Sequence, residues 1–256
     1  MRVLEAQGAS VEIRGRPILH DVSLRFDAGI LTAVVGPNGA DKSTLLRASA
    51  GLQGLSAGNV TVNGNDLSSI ERKSLARQLS FVPQSTYFSF GFTVREVVAT
   101  GRNPHRGRFQ REHDEDRASI DEALAQTDTA SLAYRPVTEL SGGERQRVLI
   151  ARSLATKAGI ILLDEPTANL DPAHALDVLE LCRSLANAGT VVVLTTQDLS
   201  MVVRYADRVA LMKSGTVVTA GPRKVLTDDV LRSVFDVRTA WAVTPEGESA
   251  LVFHRP

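Results

Sequence analysis

Leu31-Thr-Ala-Val-Val35 is a short β-branched run that stops at Gly36-Pro37-Asn38-Gly39 and gives way to the helix-like stretch Ser43-Thr-Leu-Leu-Arg-Ala-Ser-Ala50. This order is strand, glycine-rich loop, helix. Four further buried-strand candidates come later, Leu79 to Val82, Ile160 to Leu163, Val191 to Thr195 and Arg208 to Leu211, each preceded by a helical or turn segment. Such a series points to an α/β core with a mostly parallel sheet. Between about Phe92 and Thr156 the pattern is helical instead. There Thr93 is a candidate N-cap for Val94 to Thr100, and the charge run Arg111 to Arg117 reads as a solvated start to a helix over Ala118 to Thr127. The tail offers a strand at Thr216 to Ala220, a helix at Asp228 to Phe235 and a closing strand at Ala250 to Phe253.

With 256 residues, 43% hydrophobic and 23% charged, the chain has enough apolar material for a sizeable core in one or two domains. Lys+Arg and Asp+Glu both number 29, so net charge gives no footprint for nucleic acid or an acidic membrane surface, and no nucleic-acid partner is expected. No apolar run approaches the roughly 18 to 20 residues needed to span a bilayer, and Met1-Arg-Val-Leu-Glu-Ala6 lacks a signal-peptide apolar region. The expectation is a chain neither secreted nor inserted. The lone cysteine, Cys182, comes after Val178-Leu-Glu-Leu181 on an amphipathic pattern and reads as packing, in keeping with a reducing compartment. His20, His105, His113, His174 and His254 show no metal-ligand spacing, and Trp241 reads as a core or interface anchor.

The chemistry begins at Gly36, Pro37, Asn38, Gly39, Ala40, Asp41, Lys42, Ser43 and Thr44. A phosphate loop needs a glycine-rich turn so that backbone N–H groups face the phosphates, a lysine for the β/γ-phosphates and a hydroxyl for Mg²⁺. Lys42 and Ser43 fit those places. The usual pattern, Gly-x-x-x-x-Gly-Lys-Ser/Thr, is broken by Asp41 where the second glycine belongs, so the stretch alone reads equally as a nucleotide site or a plain strand-turn-helix. Further on, the apolar run Ile160 to Leu163 ends in Asp164-Glu165-Pro166-Thr167: one carboxylate suited to Mg²⁺, one suited to polarising water, or simply two solvated acids at a strand end. Ser141-Gly142-Gly143-Glu144 precedes a helical stretch and on its own is no more than an N-cap. Gln84 stands just after a strand, and Ala168-Asn-Leu-Asp171 just after the acidic pair. It is their joint occurrence, in this order, that outweighs the separate bland readings.

Taken together, from about Leu4 to Phe235, these residues resemble an ATP-binding-cassette (ABC) ATPase. The resemblance implies a P-loop NTPase core with a mostly parallel sheet, an N-terminal antiparallel β part and an inserted helical subdomain. The corresponding boundaries are 1–87 and 157–235 for the core, 88–156 for the helical signature subdomain and 236–256 for a C-terminal extension. It implies ATP and Mg²⁺ as ligands, with Ser43, Gln84 and Asp164 toward the metal and Glu165, Gln84 and Gln197 as the catalytic set. Ser141, Gly142, Gly143 and Glu144 would act on nucleotide held by an opposite subunit, and Asp171 would be the D-loop aspartate across a dimer. The implied partners are a second cassette, integral membrane permease subunits and, indirectly, a substrate-binding protein, with the chain peripheral at the cytoplasmic face of the membrane. The stretch Phe92-Thr-Val-Arg-Glu-Val-Val-Ala-Thr-Gly-Arg-Asn-Pro-His105 and the tail Thr216 to Leu226 are similar to the importers for ferric siderophores, haem and cobalamin. An apolar groove near Phe88 to Phe92 is then expected for the permease.

Three departures fall on the face that would hold the chain's own nucleotide. Asp41 brings a Cβ and a negative charge, open to three readings: a weakened site, a sequence variant, or a local rearrangement that points the side chain outward. Gln197 stands where the family has a histidine and offers a neutral amide. No aromatic residue precedes Phe26, so the adenine-stacking ring expected near Ile13 is missing, with Arg14 as the substitute. Two functional classes remain open, an ATP-hydrolysing importer subunit and a cassette of weak or no hydrolysis acting as structural or regulatory partner in a mixed dimer.

Overall fold

The computed structural model describes residues 2–84, 86, 91–107, 111–168, 170–243, 247 and 249–254. In chain order its first strands and helices are β1 (Val3–Ile13), β2 (Arg16–Asp27), β3 (Leu31–Val35), α1 (Lys42–Ser49), β4 (Ala57–Val62), β5 (Asn65–Asp66), α2 (Arg72–Gln78), β6 (Leu79–Val82), α3 (Val94–Ala99), α4 (Asp114–Gln126) and α5 (Gly142–Ala155). Then come β7 (Ile160–Leu163), α6 (Pro172–Asn187), β8 (Val191–Thr196), α7 (Leu199–Tyr205), β9 (Arg208–Lys213), β10 (Thr216–Pro222), α8 (Asp228–Phe235), β11 (Arg238–Val243) and β12 (Ser249–His254). They fall into two compact units, Met1–Ser69 with Cys182–Pro256, and Ile70–Leu181.

In the first unit β1 pairs antiparallel with β2 and β4, while β3 pairs parallel with both β8 and β9 and β10 returns antiparallel to β9. The two kinds of sheet arise from two kinds of sequence. Every residue of β3 and of β8 is buried, as an unbroken apolar run must be when both faces of a parallel sheet are covered. β1 and β2 alternate over much of their length and bury one face. They are joined by Arg14-Gly15, both at positive φ (50° and 75°), the mirror-image two-residue turn that matches strand twist. Trp241, on β11, is half exposed (50%), so it is no core anchor: β11 and β12 form a two-stranded ribbon set against α8 and α7.

In the second unit β6 and β7 pair in parallel, and the helices α3, α4 and α5 enclose their own apolar cluster, among them Val94, Val98, Ile120, Leu124, Val148 and Ala151. Thr93 and Ser141 each close a capping box, with Glu96 and Glu144 respectively. One expectation is corrected here. The charge run 111–117 is not wholly solvated, because α4 starts at Asp114 and places Asp116 inside, where it accepts from Arg102 Nε at 2.8 Å with both side chains 5% exposed. Arg102 Nη1 also donates to the Ala155 carbonyl (3.0 Å), so one cation joins two helices. Burial works to raise the Asp116 pKa, but the hydrogen bonds from Arg102 and the His113 backbone outweigh it and hold the carboxyl below its ordinary range. Asp116→Ala should therefore cost about 3 kcal/mol in urea denaturation, the lower end for breaking a buried pair. The native pair's contribution is complete above the ordinary carboxylate range and is lost as pH falls through the depressed value.

Cys182 is buried on α6 and its thiol is pushed up to about 12 by that burial, which makes it packing rather than a nucleophile. Among the described residues, no helix is long and apolar enough to cross a membrane.

Candidate nucleotide site

β3 delivers the chain to the loop at residues 36–41, which is shaped by two kinds of constraint. Gly36 is fixed by space: a Cβ there would lie 2.3 Å from the Met212 carbonyl oxygen, because Val35 pairs with Leu211 and the next residues of both strands converge. Gly39 is fixed by conformation, at φ 78°. Asp41 adopts φ 67°, ψ 27°, a left-handed conformation for which glycine is the default and Asp is among the better tolerated alternatives. The backbone is thus that of a glycine, with a Cβ and a carboxyl added. Asp41 closes no side-chain cap on α1, although its carbonyl accepts from Leu45 N–H (3.1 Å) and so begins the helix. Burial pushes its carboxyl above the ordinary aspartate range, with His20 and then Lys42 pulling the other way.

Lys42 is buried (5% exposed) and its Nζ donates back to the Gly36 carbonyl at 2.8 Å and the Pro37 carbonyl at 3.1 Å. The ammonium therefore sits on its own loop. Asn38 and Gly39 are exposed, Ala40 is buried, and Ser43 and Thr44 lie in the first turn of α1, Thr44 half buried. Gln197 is exposed one residue beyond β8, and since Val35 pairs with Thr196 it stands level with Gly36 at the carboxyl ends of these parallel strands. That edge is where open α/β sheets bind ligands. Ile13 is 39% exposed at the end of β1, and Arg14 occupies the turn beyond it.

In the second unit the β6–β7 register pairs Val82 with Leu163, so the residues two positions further, Gln84 and Glu165, are also level. Gln84 Nε2 donates to Glu165 Oε2 at 2.8 Å. Asp164, the residue before Glu165, is wholly buried (0% exposed) and its N–H continues the ladder to the Val82 carbonyl (2.9 Å). Glu165 then takes φ 46°, a conformation uncommon for a non-glycine residue, as the chain turns off the strand.

Ser141 N-caps α5, and Gly142 and Gly143 open the helix. A Cβ at Gly143 would lie 3.3 Å from the Leu170 side chain, which places this helix start against the segment leading to Asp171. Glu144 accepts from Ser141 N–H at 2.8 Å, a bond that holds its carboxyl below the ordinary range. Asp171 accepts from His174 N–H (3.0 Å) and pairs with the His174 ring, and its carboxyl too is lowered by these bonds.

The structure thus gathers residues 36–44 and Gln197 at one strand edge of the first unit, and Gln84, Asp164 and Glu165 at another in the second. Asn169 and the residues 87–90 before Phe92, including Phe88 of the expected apolar groove, lie outside the described residues. One neighbour was not anticipated from the sequence, His174 beside Asp171, although its spacing of three at a helix start was a local signal.

The profile of the ABC transporter family matches residues 19–168, more than half of the chain. The chain is similar to the cobalamin import ATP-binding protein BtuD of Halobacterium salinarum, with 48% identity over 244 residues, covering 94% of this chain and 61% of that protein. It thus spans less than two thirds of that relative's length. It is also similar to the hemin import ATP-binding protein HmuV of Streptomyces coelicolor, with 46% identity over 232 residues, covering 90% of this chain and 82% of that one. Among solved structures, a chain from an inward-facing ABC transporter described as of the metal-chelate type superposes with a TM-score of 0.86 at 29% identity, covering 99% of this chain and 98% of the other.

Proposed function

The chain belongs to the ABC transporter family, and we propose that it is the ATP-binding and hydrolysing subunit of an importer for a metal chelate, haem or cobalamin. The observation that carries the hydrolytic part is the Gln84–Glu165 hydrogen bond, which holds the base candidate at a strand end in a fixed orientation. Glu165 would take the proton of the attacking water, and residues 36–44 would bind the phosphates through backbone N–H groups and the Lys42 ammonium. Lys42 must first exchange the carbonyls of Gly36 and Pro37 for phosphate oxygens. Gln197 would donate its amide N–H to the γ-phosphate.

For Mg²⁺, the donors in question are the Ser43 hydroxyl, the Gln84 amide oxygen and the Asp164 carboxylate, a hard-oxygen set that suits this ion rather than a soft metal. The ion would neutralise charge developing on the phosphates. Ser141, Gly142, Gly143 and Glu144 would face nucleotide on a second cassette, with Asp171 beside that junction, and residues 88–156 would form the helical subdomain on which a permease sits at the cytoplasmic face. Phe92, 52% exposed, supports that seat.

The test is co-purification with the permease encoded alongside. The chain should be retained, and Phe92→Asp should lower retention about tenfold or more, as loss of an aromatic anchor does, while leaving ATP turnover of the free chain unchanged. Retention that is equal for both, or absent for both, contradicts the importer assignment. Asp41 favours a second reading, a cassette whose own site is impaired and whose contribution is the half it lends to a neighbour.

A further inference from the structure

We propose that the first unit holds a site for a small tetrahedral oxyanion, inorganic phosphate by size, between β2 and the β3, β9 and β10 strands of the parallel sheet. It does not depend on the nucleotide reading, because Thr32 on its floor stands about 13 Å of extended strand before Gly36. A cavity of about 130 Å³ opens there, where β2 packs on β10. Its origin lies in the strand register. Thr32 pairs with Arg208, and Ala210 with Ala220, so these four side chains stand on one face of the sheet. The two alanines stop short and leave space beside the threonine and the arginine. At about 30 Å³ for each water, that space takes an ion of phosphate size and little more.

The lining offers hydrogen-bond donors and positive charge. Thr32 is 4% exposed and its Oγ1 meets no hydrogen-bond partner among the described residues, a costly state for a buried hydroxyl. Arg208 is exposed beside it, and its guanidinium makes no hydrogen bond or ion pair among the described residues. Ser23 and Arg25 face the cavity from β2. Ser23 Oγ accepts from Gly8 N–H at 2.9 Å, which leaves its own proton to donate. Arg25 is partly engaged by Asp27 at 2.8 Å and Glu5 at 3.8 Å, so Arg208 supplies the main uncommitted charge. Among the described residues no carboxylate lines the cavity, which points to an anion rather than a cation. Two hydroxyls and a guanidinium reaching in from two walls suit the spread oxygens of phosphate.

The test is a titration of the full chain with inorganic phosphate at constant ionic strength, followed by alanine methyl NMR. The Ala210 and Ala220 methyl signals should move saturably, while Ala40 reports separately on phosphate at the loop of residues 36–41. Arg208→Gln should weaken the Ala210 and Ala220 response about tenfold or more, the weight of a charge-assisted hydrogen bond, and Thr32→Val should weaken it about two- to ten-fold. Neither should alter the Ala40 response. Signals of Ala210 and Ala220 that stay still, or that move alike in Arg208→Gln, overturn the proposal, and movement of Ala40 alone would support only the nucleotide site. Thermal unfolding gives a second reading that needs no NMR. Without phosphate, Thr32→Val should be at least as stable as the native chain, since it removes an unpaired hydroxyl. Added phosphate should then raise the native Tm more than that of Thr32→Val, and an equal rise overturns the proposal. Glycerol phosphate, standing for a lipid headgroup, should bind more weakly than the free ion; equal or tighter binding would overturn the assignment to inorganic phosphate.

Discussion

Asp41→Gly tightens Mg²⁺-ATP binding by between about five-fold and several-hundred-fold and raises turnover with it. The left-handed backbone at position 41 is already the one a glycine takes, so the substitution leaves the loop in place and removes a Cβ and a carboxylate. A carboxylate a few ångströms from a triphosphate costs about 1 to 4 kcal/mol between water-like and surface-like dielectric, which sets the expected range. Steric relief adds to it. Asp41→Asn, which keeps the size and removes the charge, should fall between the two. Calorimetric titration distinguishes the outcomes: micromolar affinity in the native chain, unchanged in Asp41→Gly, would show that the carboxylate already clears the phosphates.

Glu165→Gln, placed in the Asp41→Gly chain, leaves ATP affinity within about two-fold and lowers turnover by roughly 10² to 10⁴, the usual weight of a positioned general base. The neutral amide is nearly the same shape and can still pair with the Gln84 amide, so the strand-end geometry survives while the proton acceptor is gone. Phosphate release measured against nucleotide binding separates the two effects. A variant that still turns over at the parent rate would remove Glu165 from the chemistry.

Much of this arrangement is legible in the chain before any coordinates, and for particular reasons. The runs 31–35, 160–163 and 191–195 are strands because apolar segments, rich in β-branched residues and bounded by turn residues, fit a sheet covered on both faces, whereas 79–82 buries only its two end residues. Thr93 and Ser141 are caps because each has a glutamate three residues later. What the chain does not disclose is non-local. Asp116 looks like one more solvated acid in a charged run until Arg102, fourteen residues earlier, is folded beside it. β11 is not visible in the sequence because Arg238-Thr-Ala-Trp-Ala-Val243 has weak alternation and is a strand chiefly through its pairing with β12. At the candidate site, the place of Gln84 after a strand is visible, whereas its bond to Glu165 depends on the parallel register of β6 and β7. The contribution of Met212, whose carbonyl explains why position 36 is glycine, depends likewise on strands far apart in the chain.

The reading of this chain as the ATP-hydrolysing subunit of an importer depends on its binding and hydrolysing ATP. The decisive experiment is phosphate release from Mg²⁺-ATP by the purified native chain and by its Asp41→Gly variant, each read beside equilibrium binding of the same nucleotide. Saturable binding and turnover are expected in both, with the variant clearly ahead in affinity and rate. Failure of both chains to bind Mg²⁺-ATP and release phosphate would contradict the assignment.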